Sequence, residues 1–265
     1  MSQYDFRFER GSDGVAVLTL DRPDSLNSLT FDIYGQLERL FHDLEDDEGV
    51  KAIVLTGHGR GFCSGGSVDE IIGPLLESEL DGTLAFTRMT GAVVRNMLRL
   101  GKPIVAAVNG VAAGAGAVLA LASDVRVLSE HARFAFLFTK VGLTGADMGA
   151  AWLLPKIVGT GRAMELLMLG EKVSAEECLR IGLANRVVEH DQVLGEALTM
   201  ARRLAAGPGL AIAMTKKMVW SEWPMDLETA IEQEAQAQAL LLRAHDHREF
   251  YMAWMEKREP RFQGR

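Results

Sequence analysis

Two stretches of this chain share one form. AIVLT (52–56) runs into GRGFCSGGSVDEII (59–72), and IVAAV (104–108) runs into VNGVAAGAGAVLALASD (108–124). A short, wholly apolar run rich in β-branched residues fits a strand buried on both faces. When such a strand is followed each time by glycines and then a helical start, the helix can cover the strand, and repeating the unit gives parallel strands. The rest of the chain keeps this pattern up to about residue 190. VAVLTL (15–20) and VRVL (125–128) read as further strands. Thr30 to Asp47 carries a helical stripe of Ile33, Leu37, Leu40, Phe41 and Leu44, and Thr83 to Leu100 another of Phe86, Met89, Val93 and Met97. From Asp191 the signal is helical only, over 191–206, 208–220, 226–244 and 246–258, with breaks at Gly207-Pro208 and Trp223-Pro224. The expectation is an α/β core over residues 1–190 and a helical region over 191–265. That region can pack on its own core or on a neighbouring subunit.

The 265 residues suffice for one large core, or for one core and a small appendage. A net charge of −8 offers nothing to nucleic acid or to an anionic membrane surface. No apolar stretch reaches the length of a membrane span. The N-terminal stretch MSQYDFRFERGSDG is polar, without an apolar signal core. Cys63 and Cys178 make no disulfide framework, so a reducing, cytoplasmic setting is expected. The six histidines are scattered without zinc spacing, and no metal site is expected.

The glycine loops have few reactive side chains, which turns attention to their backbone. Gly114, Ala115 and Gly116 open an apolar helix directly after a strand, and Gly65-Gly66 sit in an equivalent setting. Helix N-termini present unpaired N–H groups and partial positive charge, and small residues let a ligand come close. Two such N–H groups converging on one point would stabilise negative charge on a carbonyl oxygen. Each loop alone reads equally as a turn that needs positive φ. Neither ends in the Lys-Ser/Thr of a phosphate loop, and Leu119 stands where a dinucleotide fingerprint needs a third glycine or alanine.

Taken together, DRPDSLNSLT (21–30), GRGFCSGGSVDEI (59–71), KPIVAAVNGVAAGAGAVLALASDVRV (102–127), RAMELLMLGEKVSAEECLRIGLANRVV (162–188) and AWMEKREPRF (253–262) resemble the enoyl-CoA hydratase/isomerase, or crotonase, superfamily. The resemblance covers nearly the whole chain in the right order. It implies a crotonase-like spiral of ββα turns over 1–190 that binds and processes an acyl-CoA thioester. Residues 191–265 would then serve oligomerisation and pocket closure, in a homotrimer or a hexamer made as a dimer of trimers. No cofactor is implied beyond the coenzyme A that belongs to the substrate. Matched to the family pattern, the two oxyanion donors fall on the N–H groups of Gly66 and Ala115. Arg22 and Lys257 are candidates to reach the CoA phosphates.

The departures from the pattern narrow the chemistry. The two glutamates that act as acid and base in hydratases are replaced by Val118 and Phe138, and Ser67 stands where the first loop usually has Asp. Asp147, in VGLTGADMGAAWLLPKIVG (141–159), resembles the catalytic aspartate of dienoyl-CoA isomerases and the nucleophile of 4-chlorobenzoyl-CoA dehalogenases. Desolvated in a pocket lined by Phe136, Phe138, Leu143 and Trp152, it would serve as a base or a nucleophile. The plainer reading is that it caps a helix starting near Met148. Phe86 and Met89 read either as a cover for the acyl chain or as core. Ser64, Ser67 and Cys63 read as pocket lining, Cys63 as a small buried apolar group. Asp69 and Glu70 read as first-turn acids, and Asp124 as a local partner of Arg126. Three functions stay open: double-bond hydration or isomerisation of an enoyl-CoA, hydrolysis, dehalogenation or C–C cleavage through Asp147, and CoA-ester binding without chemistry.

Overall fold

A computed structural model describes residues 4–265; Met1 to Gln3, the start of the polar N-terminal stretch, lie outside the described residues. An antiparallel hairpin of β1 (Arg7–Arg10) and β2 (Val15–Leu20) leads into helix α1 (Phe31–Asp43), whose first turn is capped by the Thr30 hydroxyl. Three similar units follow, each a long strand, a short strand and a helical stretch. The first is β3 (Ala52–Gly57), β4 (Gly61–Cys63), α2 (Gly73–Leu76) and α3 (Leu80–Arg99). The second is β5 (Ile104–Val108), β6 (Val111–Ala113) and α4 (Ala115–Ala122). The third is β7 (Val125–Ser129), β8 (Arg133–Ala135), α5 (Ala150–Val158) and α6 (Thr160–Leu169). Then come β9 (Val173–Ser174), α7 (Ala175–Arg180) and β10 (Arg186–Val188). The chain ends in α8 (Val193–Ala205), α9 (Gly209–Ser221), α10 (Leu227–Leu241) and α11 (His245–Glu256), close to the four expected helices.

The long strands build one sheet in the order β1-β2-β3-β5-β7-β10, and the short strands a second in the order β4-β6-β8-β9. From β2 to β10 every neighbouring pair of the first sheet is parallel. This is the spiral of ββα turns, with its helical C-terminal region.

The alternation of side chains along the long strands explains why both faces of the large sheet are covered. Leu18, Ile53, Leu55 and Ile104 join one core with residues of α1, α3 and α4. Val15, Val54, Val105 and Ala107 point the other way and pack with Val193, Ala197, Ala201 and Ala205 of α8. The helical region from 191 therefore begins inside the core layer.

Helix α9 is fastened to the sheet by Lys216, which lies 2.9 Å from Asp124 Oδ2, the same oxygen that accepts the Ile104 N–H at 2.7 Å. This corrects the expected local pair of Asp124 with Arg126. The buried Arg126 guanidinium turns instead to backbone carbonyls at the end of α4 and beyond, donating to Ser123 at 2.6 Å and Leu183 at 2.7 Å. Carbonyls at a helix C-terminus are a natural seat for a cation. Among the described residues no helix is long and apolar enough to cross a membrane.

Candidate active site

The two glycine loops meet. Leu29 donates its N–H to Gly65 O and accepts the Ser67 N–H, both at 2.8 Å, which makes a parallel bridge to Gly66. Because that bridge uses the groups on either side of Gly66, the Gly66 N–H itself faces away from Leu29. Gly65 has φ +103, and a Cβ there would lie 3.1 Å from Ala113 O and 3.6 Å from Ala115 N. Only a residue without a side chain fits, and its absence lets the first loop touch the second.

In the second loop Gly114, at φ +51, donates to Ala135 O at 2.9 Å and accepts from the Val118 N–H in the first turn of α4. A Cβ on Gly116 would fall 2.2 Å from Cys63 O, so α4 presses directly on β4. Ala115 is the first residue of α4, where N–H groups have no partner within the helix. Among the described residues neither the Gly66 nor the Ala115 N–H meets a protein acceptor.

Other sequence candidates serve the loop scaffold. Ser64 Oγ donates to Ser25 O at 2.9 Å. Ser67 caps a single π-helical turn, Val68–Ile72: its Oγ accepts the Glu70 N–H at 3.3 Å and donates to Glu70 Oε2 at 2.9 Å. The Glu70 carboxylate also pairs with Arg22 at 2.5 Å; Arg22 first, then Ser67, holds it below the usual carboxylate range. Arg22 and Glu70 thus clamp the loop that carries Gly66. Lys257 sits exposed at the left-handed end of α11, and no contact among the described residues joins it to these loops.

Asp147 is half-buried just before α5. Its side chain does not cap that helix: Oδ1 accepts the N–H of the next residue, Met148, at 2.9 Å, while the backbone carbonyl takes the Ala150 N–H at 2.8 Å. Gly149 holds the cap position at φ +86, and Met148 itself is left-handed at φ +49, an uncommon state for a residue with a side chain. Burial pushes the Asp147 carboxyl above its ordinary value, with the Met148 N–H acting in the opposite direction. Val118 and Phe136 are fully buried and Phe138 nearly so. Leu143 and Trp152 are 54% and 45% exposed. Trp152 turns toward Trp220, ring centres 5.6 Å apart, under Lys156 Nζ at 3.7 Å. Both tryptophans line an open cleft of about 730 Å³ that Met148 and Gly149 also border.

Tyr34 is a residue that the sequence reasoning missed. It lies on α1 beside Ile33 and is only 3% exposed. Its hydroxyl is 4.0 Å from where a Gly66 Cβ would stand, and its ring meets Phe86 edge-on at 5.6 Å. Phe86 also meets Phe31 at 4.9 Å, and the Met89 sulfur lies 3.8 Å from the Cβ position of Gly35. The available signal was a tyrosine within the apolar stripe of α1, three residues before Leu37. Cys63 is fully buried, which pushes its thiol up to about 12 and leaves it inert. Among the described residues no group of His, Cys, Asp and Glu is arranged to hold a metal ion.

The comparisons agree with this architecture. The model of the enoyl-CoA hydratase/isomerase family matches residues 10–265. The chain belongs to that family. It is 38% identical to the 1,2-epoxyphenylacetyl-CoA isomerase of Escherichia coli K12, over 95% of this chain and 96% of that one. It is 31% identical to the short-chain-enoyl-CoA hydratase of Clostridium acetobutylicum, over 92% of each. The crystal structure of a Streptomyces coelicolor A3(2) protein, named as an enoyl-CoA hydratase on a provisional basis, superposes with a TM-score of 0.97. It is 53% identical, covering 100% of this chain and 96% of that one.

Proposed function

We propose that this enzyme carries out double-bond chemistry on an acyl-CoA thioester, with the Gly66 and Ala115 N–H groups holding the thioester oxygen and Asp147 moving the proton. The observation that supports this reading is the contact between the two loops, with Gly65 against Ala113 and Ala115, next to two backbone donors that have no protein acceptor among the described residues. An oxygen that gains negative charge as an enolate forms is stabilised by such donors more than the ground-state carbonyl is. Removing one donor of this kind typically costs about 3–4 kcal/mol of transition-state stabilisation.

Isomerisation is the reaction that one carboxylate serves best. It needs a single shuttle that takes a proton from one carbon and returns it to another while the enolate is held. Hydration needs a water activated and a proton delivered, work that family hydratases divide between two glutamates. Val118 and Phe138 in those places can do neither. Burial suits Asp147 to the shuttle, because a carboxyl whose pKa is raised both accepts and returns a proton more readily near neutrality. The name of a 38% identical relative, 1,2-epoxyphenylacetyl-CoA isomerase, is in keeping with this choice. Hydrolysis or dehalogenation, with Asp147 as nucleophile, is the alternative chemistry. Binding without turnover is the alternative class. We place Phe86 and Met89 over the acyl chain and assembly as a trimer or hexamer within the same reading.

The test is Asp147→Asn against wild type on a β,γ-enoyl-CoA and on crotonyl-CoA. The variant should lose at least about a hundredfold in kcat, the low end of a general acid–base contribution, with thioester affinity kept within a few-fold. Wild type should hydrate crotonyl-CoA weakly or not at all. Brisk hydration that survives Asp147→Asn would reject the assignment, and absence of turnover of any acyl-CoA would favour the binding reading.

A further inference from the structure

Beside the proposed oxyanion donors lies a polar group that nothing above employs. The Tyr34 side chain is 97% buried by its 3% exposure, yet among the described residues its hydroxyl has no hydrogen-bond partner. Among the described residues the one fully sealed side-chain atom without a partner is Glu222 Oε1, so the equally unpartnered Tyr34 hydroxyl keeps some accessible surface. A phenol in an apolar wall is costly when its hydroxyl is left unmade, and ordinarily such a hydroxyl meets a partner. Here Phe86 braces the ring edge-on, and the hydroxyl stands 4.0 Å from the Cβ position of Gly66.

We propose that Tyr34 is a substrate-binding residue whose hydroxyl hydrogen-bonds an oxygen carried by the acyl chain near its α and β carbons, so that the enzyme favours oxygenated acyl thioesters. This inference rests on the reading of Gly66 as a donor to the thioester oxygen, because that contact is what brings the first carbons of the acyl chain past Tyr34. Geometry and charge agree on the role. Burial above all, then Cys63 and Asp147 nearby, raises the Tyr34 phenol well above its ordinary value. It is therefore a neutral donor and acceptor at physiological pH, and a poor proton source. A hydrogen bond to a hydroxyl or ether oxygen fits such a group, and proton transfer does not.

Calorimetric titration of the intact protein with butanoyl-CoA and with 3-hydroxybutanoyl-CoA tests this. Wild type should prefer the hydroxy thioester. Tyr34→Phe should weaken 3-hydroxybutanoyl-CoA about three- to tenfold, the size of one neutral hydrogen bond, and leave butanoyl-CoA within about twofold. The folded state should be unharmed, since the lost hydroxyl had no protein partner, and an unchanged melting temperature checks this. Equal effects on both thioesters, or no effect on either, would overturn the proposal. Failure of wild type to bind either thioester would overturn the acyl-CoA reading and this inference with it, whereas a loss confined to discrimination touches Tyr34 alone. The same readout separates recognition from a merely structural role, which would move both affinities together.

Discussion

Asp147 occupies a position where ionisation is opposed by its surroundings. Among the described residues its one protein donor is the N–H of its own neighbour, and burial raises its pKa above 3.8. As a base it must be ionised, so kcat/KM should rise with pH along an acidic limb centred above 3.8, and a limb at or below that value would contradict the assignment. The stability consequence has the opposite sign from that of most aspartates. A carboxyl with a raised folded pKa binds its proton more tightly in the folded state than in the unfolded one. Stability is then lost as pH climbs from 3.8 through the folded value. Asp147→Asn should melt higher than wild type at pH 7 and converge with it below 3.8; a lower melting temperature at pH 7 would show a structural role instead. Asp147 was legible in the sequence through its glycine-flanked loop and its match to a family position. Tyr34 was not, because a tyrosine in a helical stripe reads as core until the fold sets Gly66 beside its hydroxyl.

At the scale of elements, β2, β3, β5 and β7 and the two glycine loops were legible because each depends on local chemistry: apolar runs for the strands, small residues where α4 presses on β4 and where Gly65 meets Ala113. The short strands β4 and β6 were not, because they lie inside the stretches that read as loops. The attachment of α9 was not. Asp124 has an arginine two positions away in sequence, but its partner is Lys216 from a distant helix, and only the completed sheet brings them together. Both side chains are largely buried, at 6% and 19% exposure. Removing one partner of a buried pair leaves the other charge uncompensated, which typically costs about 3–5 kcal/mol. Lys216→Met should therefore lower the urea midpoint strongly, and adding Asp124→Asn should restore part of the loss. A Lys216→Met variant as stable as wild type would show that α9 is held by apolar contact alone.

For the whole molecule, parallel strands followed from the alternation of strand and helix, while their order and the place of the final helices did not. Residues 191–265 read as a helical region that packs on its own core or on a neighbouring subunit, and α8 does the first, lying on the large sheet and filling its second core. Among the outward residues are several large apolar ones: Leu240, Leu242, Tyr251, Trp254 and Met255 of α10 and α11, or close beside them, are each more than half exposed. A face of this kind suits a contact between copies. Light scattering at micromolar concentration should give the mass of a trimer or a hexamer. A stable monomer would contradict the assembly proposed here and leave that face to another partner.

The central claim is that an enolate forms between Gly66, Ala115 and Asp147. It is tested most directly by following α-proton exchange of a β,γ-enoyl-CoA in D2O by nuclear magnetic resonance. Wild type should wash deuterium into the α position while the double bond migrates. Asp147→Asn, still binding the thioester, should lose that exchange by at least about a hundredfold, in step with its kcat. Exchange that persists undiminished in Asp147→Asn would place the proton transfer on another group and contradict the account.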